Sequence, residues 1–270
     1  MSWYLEAIGL SPKCFRERET DDDSDCWIRD LLIEPVLEEF PFYGHRKVTK
    51  ELQRRRWRVN KKKIQRIMRR FGLAKKRRRY KLKTTDSRHG LPVYPNLIKD
   101  IVPLFPNQIW AADITYIKLA GGDCCYLAGL IDIFTRRIRG WALMGTLNTE
   151  LILEAWHRAR IKHPAPVFHH SDRGSQYCAG EYIAAIQKGG TRVSMSAKGE
   201  STQNPYIESF WRTLKVEEVY LKEYETMADA LQNIKNFIET VYAKKRIHAS
   251  LDYRTPEEFE EGWKQRQNLS

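Results

Sequence analysis

The sequence predicts an α/β protein in which a mixed β-sheet flanked by helices follows a small, strongly basic helical region. Three observations carry that prediction. Two short apolar stripes at helical spacing lie within residues 46–71, prolines interrupt residues 84–106, and β-rich and amphipathic segments then alternate as β-β-β-α-β-α-β-α from Gln108 onward. At 270 residues the chain is long enough for about two domains, one of them holding a sizeable core.

The first 40 residues are read as an acidic helical segment, with 4 basic and 11 acidic side chains. Residues 46–83 reverse that balance with 20 basic residues and one acid, Glu51, a net +19 that exceeds the +13 of the whole chain, so the basicity belongs to this segment. A solvated arm would need no pattern, but Val48 and Leu52 sit four apart, and Ile64, Ile67, Met68 and Phe71 follow at i, i+3, i+4 and i+7. Asn60 is placed to cap the second helix and Gly72 to end it. Two short helices joined by a turn are the layout of a helix-turn-helix reader over residues 41–83. Its expected DNA contacts are Arg46, Lys47, Lys61, Lys62, Lys63, Arg66, Arg69 and Arg70, followed by the phosphate-binding run Lys75, Lys76, Arg77, Arg78 and Arg79.

Residues 84–106, with Pro92, Pro95, Pro103, Pro106 and Gly90, read as a linker or an extended arm. A core over 107–225 and a helical extension over 226–270 complete the expected organisation. Ile109 to Leu119, Cys124 to Phe134 and Arg136 to Met144 are β-rich runs with short separators, which predicts an antiparallel meander. A helix from Thr149 to about His163, a strand from Pro166 to His170, a helix from Ala179 to Lys188 and a strand from Thr191 to Met195 follow. Two long helices begin near Pro205 and Met227.

The remaining composition excludes several classes. The longest apolar stretch, Cys124 to Phe134, is shorter than the ~20 residues that span a bilayer, and Asp132 interrupts it. Five scattered cysteines without a CxxC pair fit a reducing compartment, and the opening MSWYLEAIGL has no basic start or cleavage site. A soluble, cytoplasmic protein whose acidic partner is nucleic acid rather than a membrane is expected.

Three acids then demand an explanation. Asp113 falls inside an otherwise apolar strand, Asp172 follows a short strand, and Glu208 opens a helix. A buried carboxylate is costly unless something pairs with it, and a divalent cation is such a partner. Phosphoryl transfer by two oxygen-ligated metals needs carboxylates from separate elements, which these three can supply. Singly, Asp172 beside Arg173 and Gly174 reads equally as an Asx turn, and Glu208 with Arg212 as a helix ion pair. Arg212 and Lys215 share a helix face with Glu208, as either a DNA-phosphate contact or a solvated face. His169 and His170 read as packing or hydrogen-bonding residues rather than ligands. Trp57, Trp110, Trp141 and Trp211 read as packing residues.

These residues resemble a family. Tyr43-Gly44-His45-Arg46, Trp110 through Tyr116, His170 through Tyr177, Ser194-Met195-Ser196, Glu208 through Lys215, and Arg246-Ile247-His248 through Leu251 to Pro256 are similar to stretches of insertion-sequence transposases. Specifically, they resemble the second-reading-frame product of the IS-three family, a distant relative of retroviral integrases. The resemblance covers about residues 30 to 260. It implies a ribonuclease H-like core in which Asp113, Asp172 and Glu208 hold two Mg²⁺ ions, with Mn²⁺ as a substitute. It implies cleavage of mobile-element ends and 3′-OH strand transfer, with double-stranded DNA as element end and target. A homo-oligomer on DNA, fusion or partnership with an upstream-frame DNA-binding protein, and a bacterial nucleoid-associated location go with it. Where the family usually has Asp-Asn before the glutamate, this chain has Gln203-Asn204. That departure supports a second reading, a catalytically inactive DNA-binding protein derived from a transposase. A third is a ribonuclease H-like nuclease acting on RNA–DNA hybrids.

Overall fold

In the computed structural model the chain divides into two compact units, Met1–Tyr80 and Lys81–Ser270. Residues 21–73, 91–197 and 203–268 are described; the expected phosphate-binding run Lys75–Arg79 and the beginning of the 84–106 segment lie outside them.

In the first unit, α1 (Asp21–Ile28) passes through a π-helical turn, Arg29–Ile33, into α2 (Glu34–Glu39), with helical backbone at both junctions. The basic pair follows as α3 (His45–Arg54) and α4 (Lys61–Arg70). Asn60 caps α4 as expected, accepting from the Lys62 amide at 2.8 Å. Gly72 takes φ +66°, which a residue without Cβ adopts freely, and the Leu73 amide closes on the Met68 carbonyl at 2.8 Å. Ile64, Ile67 and Met68 are buried with Val48 and Leu52, and Leu32, Ile33, Val36, Phe40 and Tyr43 are buried too. Two ten-residue helices cannot bury a core alone, and the stretch before residue 40 contributes much of it. A cut at residue 40 or 46 would therefore pass through one packed unit.

The second unit is built on a five-stranded sheet ordered β3-β2-β1-β4-β5. β1 (Ile109–Lys118), β2 (Cys124–Asp132) and β3 (Ile138–Met144) form the expected antiparallel meander, while β4 (Phe168–Ser171) and β5 (Arg192–Met195) join parallel to β1. The second and third strands are shorter than their apolar runs. Asp132 accepts from the Phe134 and Thr135 amides and turns the chain there.

Alternation along β1 sends neighbouring residues to opposite cores. Ile109, Ala111 and Ile117 lie in a cluster with α7 (Pro205–Glu217), α8 (Met227–Asn236) and the π-helical continuation Phe237–Lys245. Trp110 and Ala112 lie in a second cluster with α5 (Thr149–Lys162) and α6 (Gly180–Gln187). Gly140 on β3 permits the second packing, because a Cβ there would come within 2.2 Å of the Ala155 carbonyl oxygen. The last helix, α9 (Pro256–Gln267), starts from a Thr255–Glu258 capping box.

Residues 91–106 run as an extended arm beside the sheet. Pro95 accepts from the Met195 amide at 3.3 Å, the Leu97 amide donates to Ser194 Oγ at 2.9 Å, and Leu97, Ile98 and Ile101 pack against the first cluster. Among the described residues no helix is long and apolar enough to cross a membrane, and Cys26, Cys124, Cys125 and Cys178 are free thiols.

Candidate active site

Each of the three acids is brought to the site by a different element. Asp113 is in the middle of β1, the central strand, which has backbone partners on both sides. The parallel pairing of β1 with β4 matches Ala111 with His170, so extending that register by two carries Asp172 alongside Asp113. The loop holding Asp172 is pinned: its Oδ1 accepts from the Gly174 amide at 2.9 Å, and Arg173 Nε donates to the Ser196 carbonyl at 2.7 Å. Glu208 lies in the first turn of α7, whose N-cap residue is Asn204 and which has Pro205 at its start.

The electrostatics follow from that convergence. Asp113 is half-buried, but enough protein surrounds its carboxyl that desolvation, with the negative Asp172 and then Glu208 adding to it, pushes its pKa up to about 8. A backbone hydrogen bond at Ile114 and the Trp211 indole oppose the shift. Burial also raises Glu208, with the Arg212 charge opposing it. Asp113 thus lies within the fields of both other acids. Among the described residues no group of three or more His, Cys, Asp or Glu side chains stands close enough together to hold a metal ion.

The donor set nevertheless suits a hard cation. Three carboxylates offer oxygen ligands, two of them are held in unfavourable charge proximity to Asp113, and a buried acceptor, Asn204 Oδ1, has no hydrogen-bond partner. Asn204 is fixed by its other end, Nδ2 donating at 2.9 Å to the carbonyl of Ala112, the residue before Asp113. The Tyr177 hydroxyl is likewise buried without a partner, and it feels both Asp113 and Asp172.

Trp211 was expected only to pack, yet its Nε1 donates to Asp113 Oδ2 at 3.0 Å. Its ring covers Gly129, the β2 residue opposite Asp113; a Cβ at Gly129 would come within 2.7 Å of that ring. The available signal was a tryptophan on the apolar stripe Ile207, Phe210 and Leu214, since a buried indole N–H needs an acceptor. Arg212 is exposed. Lys215 is half-buried, its Nζ lies 4.3 Å from the centre of the Tyr116 ring, and burial lowers its pKa while Asp113 raises it.

The histidines take the structural roles expected of them. His169 is fully buried, its Nε2 lies 2.9 Å from the Tyr182 hydroxyl, and burial pulls its pKa down to about 3. His170 lies between Ser194 Oγ at 2.9 Å and Ser196 Oγ at 3.1 Å, its pKa reduced to about 4 by burial. Gln203 stands apart from the carboxylates in its bonding. Its Oε1 accepts from Asn96 Nδ2 at 2.9 Å and the Ala197 amide at 2.8 Å, tying the extended arm to the segment after β5.

Comparison with known proteins places the chain's two regions in families. A family model described as an HTH-like domain matches residues 28–81, and two described as an integrase core domain match residues 104–201 and 189–256. The transposase for insertion sequence element IS904 of Lactococcus lactis subsp. lactis (strain IL1403) is 38% identical over 239 residues, covering 86% of this chain and 94% of that protein. Transposase InsF for insertion sequence IS3A of Escherichia coli (strain K12) is 36% identical over 221 residues, covering 81% and 76%. Among solved structures, a chain of the simian T-cell lymphotropic virus intasome in complex with PP2A regulatory subunit B56 gamma is similar at a TM-score of 0.51 and 15% identity. That match covers 83% of this chain and 73% of the other, and it bears on fold alone.

Proposed function

Because the chain belongs to the insertion-sequence transposases with an integrase core, we propose that it binds the DNA ends of a mobile element and catalyses their cleavage and 3′-OH strand transfer. The observation that carries this reading is the half-buried Asp113 held within the fields of Asp172 and Glu208, each on a separate element. Asp113, Asp172 and Glu208 are the proposed ligands of Mg²⁺, two ions in this reading, with Mn²⁺ as a substitute. When bound, the ions would activate the attacking oxygen and stabilise the leaving oxygen of an in-line displacement.

The protein's part is to hold the reacting groups. Trp211 holds Oδ2 of Asp113 in place and so orients the carboxyl. Asn204, anchored to the β1 backbone, offers its free carbonyl oxygen to a donor on bound water or substrate. Arg212 and Lys215, one and two turns along α7 from Glu208, supply positive charge for a DNA phosphate beside the carboxylates. Water is the attacking group in cleavage and the DNA 3′-OH in joining, with no covalent bond to the protein.

Gln203 is the residue that favours an inactive copy. Its carbonyl is already committed to Asn96 and Ala197, so it acts as a bracket for the arm, and the three carboxylates are retained. The test is cleavage and joining of end-containing DNA by the purified chain. Product is expected only with Mg²⁺ or Mn²⁺, and Asp172→Asn should abolish it while DNA binding persists. Unchanged product from that variant would overturn the ligand assignment.

A further inference from the structure

The basic residues of α4 divide into two groups with different surroundings. On one flank, Lys63, Arg66 and Arg70 recur at i, i+3 and i+7 and meet α1. Arg66 donates to both oxygens of Asp25 at 2.9 and 3.0 Å, Arg70 approaches the same carboxylate at 3.6 Å, and Lys63 donates to Ser24 Oγ at 3.2 Å. The Asp25 side chain is only 2% exposed, so it is a buried anion satisfied by arginines of α4. These cations are already engaged within the unit.

The outer side of α4 is different. Lys62 and Arg69, seven apart, point away from the buried Ile64, Ile67 and Met68; both are exposed, as are Arg66 and Arg70, so it is pairing with a carboxylate that separates the two groups. Lys61 at the start of α4 and Arg46 in the first turn of α3 are exposed as well. The positive fields of Arg46, Lys61 and Arg69 converge on His45, so these side chains form one patch. α3 begins at Gly44, with no side chain capping its first turn, which adds positive backbone character to the same place. No carboxylate is paired with Arg46, Lys61, Lys62 or Arg69 among the described residues.

We propose that the HTH-like unit meets double-stranded DNA through one face, made of Arg46, Lys61, Lys62 and Arg69 beside the start of α3, while Lys63, Arg66 and Arg70 hold α1 in place. This rests on the reading of the chain as a DNA-binding transposase and narrows its expected contacts. The reason is energetic: a phosphate recruited by Arg66 or Arg70 would leave Asp25 as an uncompensated buried charge, whereas the outer four gain a counter-charge at no such cost.

Salt dependence separates the two groups, because each phosphate contact contributes about 0.9 to the slope of log K against log salt. In the full chain, Arg46→Gln, Lys61→Gln, Lys62→Gln and Arg69→Gln together should reduce that slope by about 3 to 4 on duplex DNA with little change in Tm. Arg66→Gln should lower Tm and leave the slope near the parent's, and adding Asp25→Asn should restore Tm without changing the slope. Equal slope losses from Arg66→Gln/Asp25→Asn and from a single outer substitution would overturn the division into faces. Tighter binding of duplex RNA than of duplex DNA would overturn the choice of partner. A parent chain with no salt-dependent DNA binding would instead defeat the underlying DNA-binding reading.

Discussion

Two aspartates on neighbouring strands of one sheet, Asp132 buried and Asp113 half-buried, have opposite surroundings. Asp132, at the end of β2, is fully enclosed with Arg139, which also is fully enclosed and donates to Glu260 at 3.0 Å. Amides of Asn107, Phe134 and Thr135 complete its shell, and Arg137 adds a second cation to Glu260 at 2.9 Å. Asp113 has one indole, a backbone group and the half-buried Lys215 in its favour and two acids against it. Buried charge in a protein is ordinarily balanced, and at Asp132 it is. Under the proposed function, the imbalance at Asp113 marks a carboxylate kept for an external cation, whereas the balanced Asp132 belongs to the network that ties α9 to the sheet.

Neutralising each acid's environment tests this contrast, and the largest effect is expected at Asp113 itself. Asp113→Asn should reduce metal-dependent strand cleavage by at least ~10³-fold, the scale of losing a catalytic charge-stabilising group, while the chain stays folded; a gel assay of end-containing DNA measures it. At the other aspartate, Arg139→Met strands Asp132 and leaves Glu260 to Arg137 and Lys264, so a loss of about 3–5 kcal/mol is expected by denaturant titration. Recovery on adding Asp132→Asn and Glu260→Gln would tie that loss to charge rather than to packing.

Trp211→Phe is a smaller perturbation. It keeps an aromatic ring over Gly129 and removes the donor to Asp113, so metal affinity should fall by roughly 10–100-fold, as for other outer-shell partners. Calorimetric titration with Mn²⁺ would read that change. An unaltered affinity would reduce Trp211 to packing.

The smallest effect concerns pH. Because the folded pKa of Asp113 is raised to about 8, its stability contribution is fullest below the unfolded carboxylate range and is lost as pH rises toward 8. Metal-free Asp113→Asn should therefore gain a few degrees in Tm over the parent at pH 8 and little or nothing at pH 4. Added Mg²⁺ should close the gap by stabilising the parent.

Local patterns made much of this legible. β1 to β3 fall within their apolar runs, Asn60 and Gly72 bound α4 as their chemistry dictates, and an aspartate amid apolar strand residues marked Asp113 for attention. Relations across long sequence distances were less legible. Asp132 reads as a polar interruption until Arg139 and Glu260, 121 residues apart, enclose it. Trp211 reads as a core tryptophan until α7 lies across β1. Asp25 reads as one acid of an acidic helical segment, because only tertiary packing brings it against Arg66. In each case the partner is set by which helix faces cover which strands, and apolar spacing does not carry that information.

The Trp211–Asp113 bond also has a consequence in time. The indole lies 98 residues downstream of the carboxylate it holds. On a ribosome adding ~5–20 residues per second, it follows Asp113 by about 5–20 s. Glu208 emerges only just ahead of it, whereas the whole HTH-like unit precedes both. Under the proposed function, a chain in synthesis acquires its grip on DNA before its cutting centre, and one broken off before Glu208 would occupy element ends without being able to cut them.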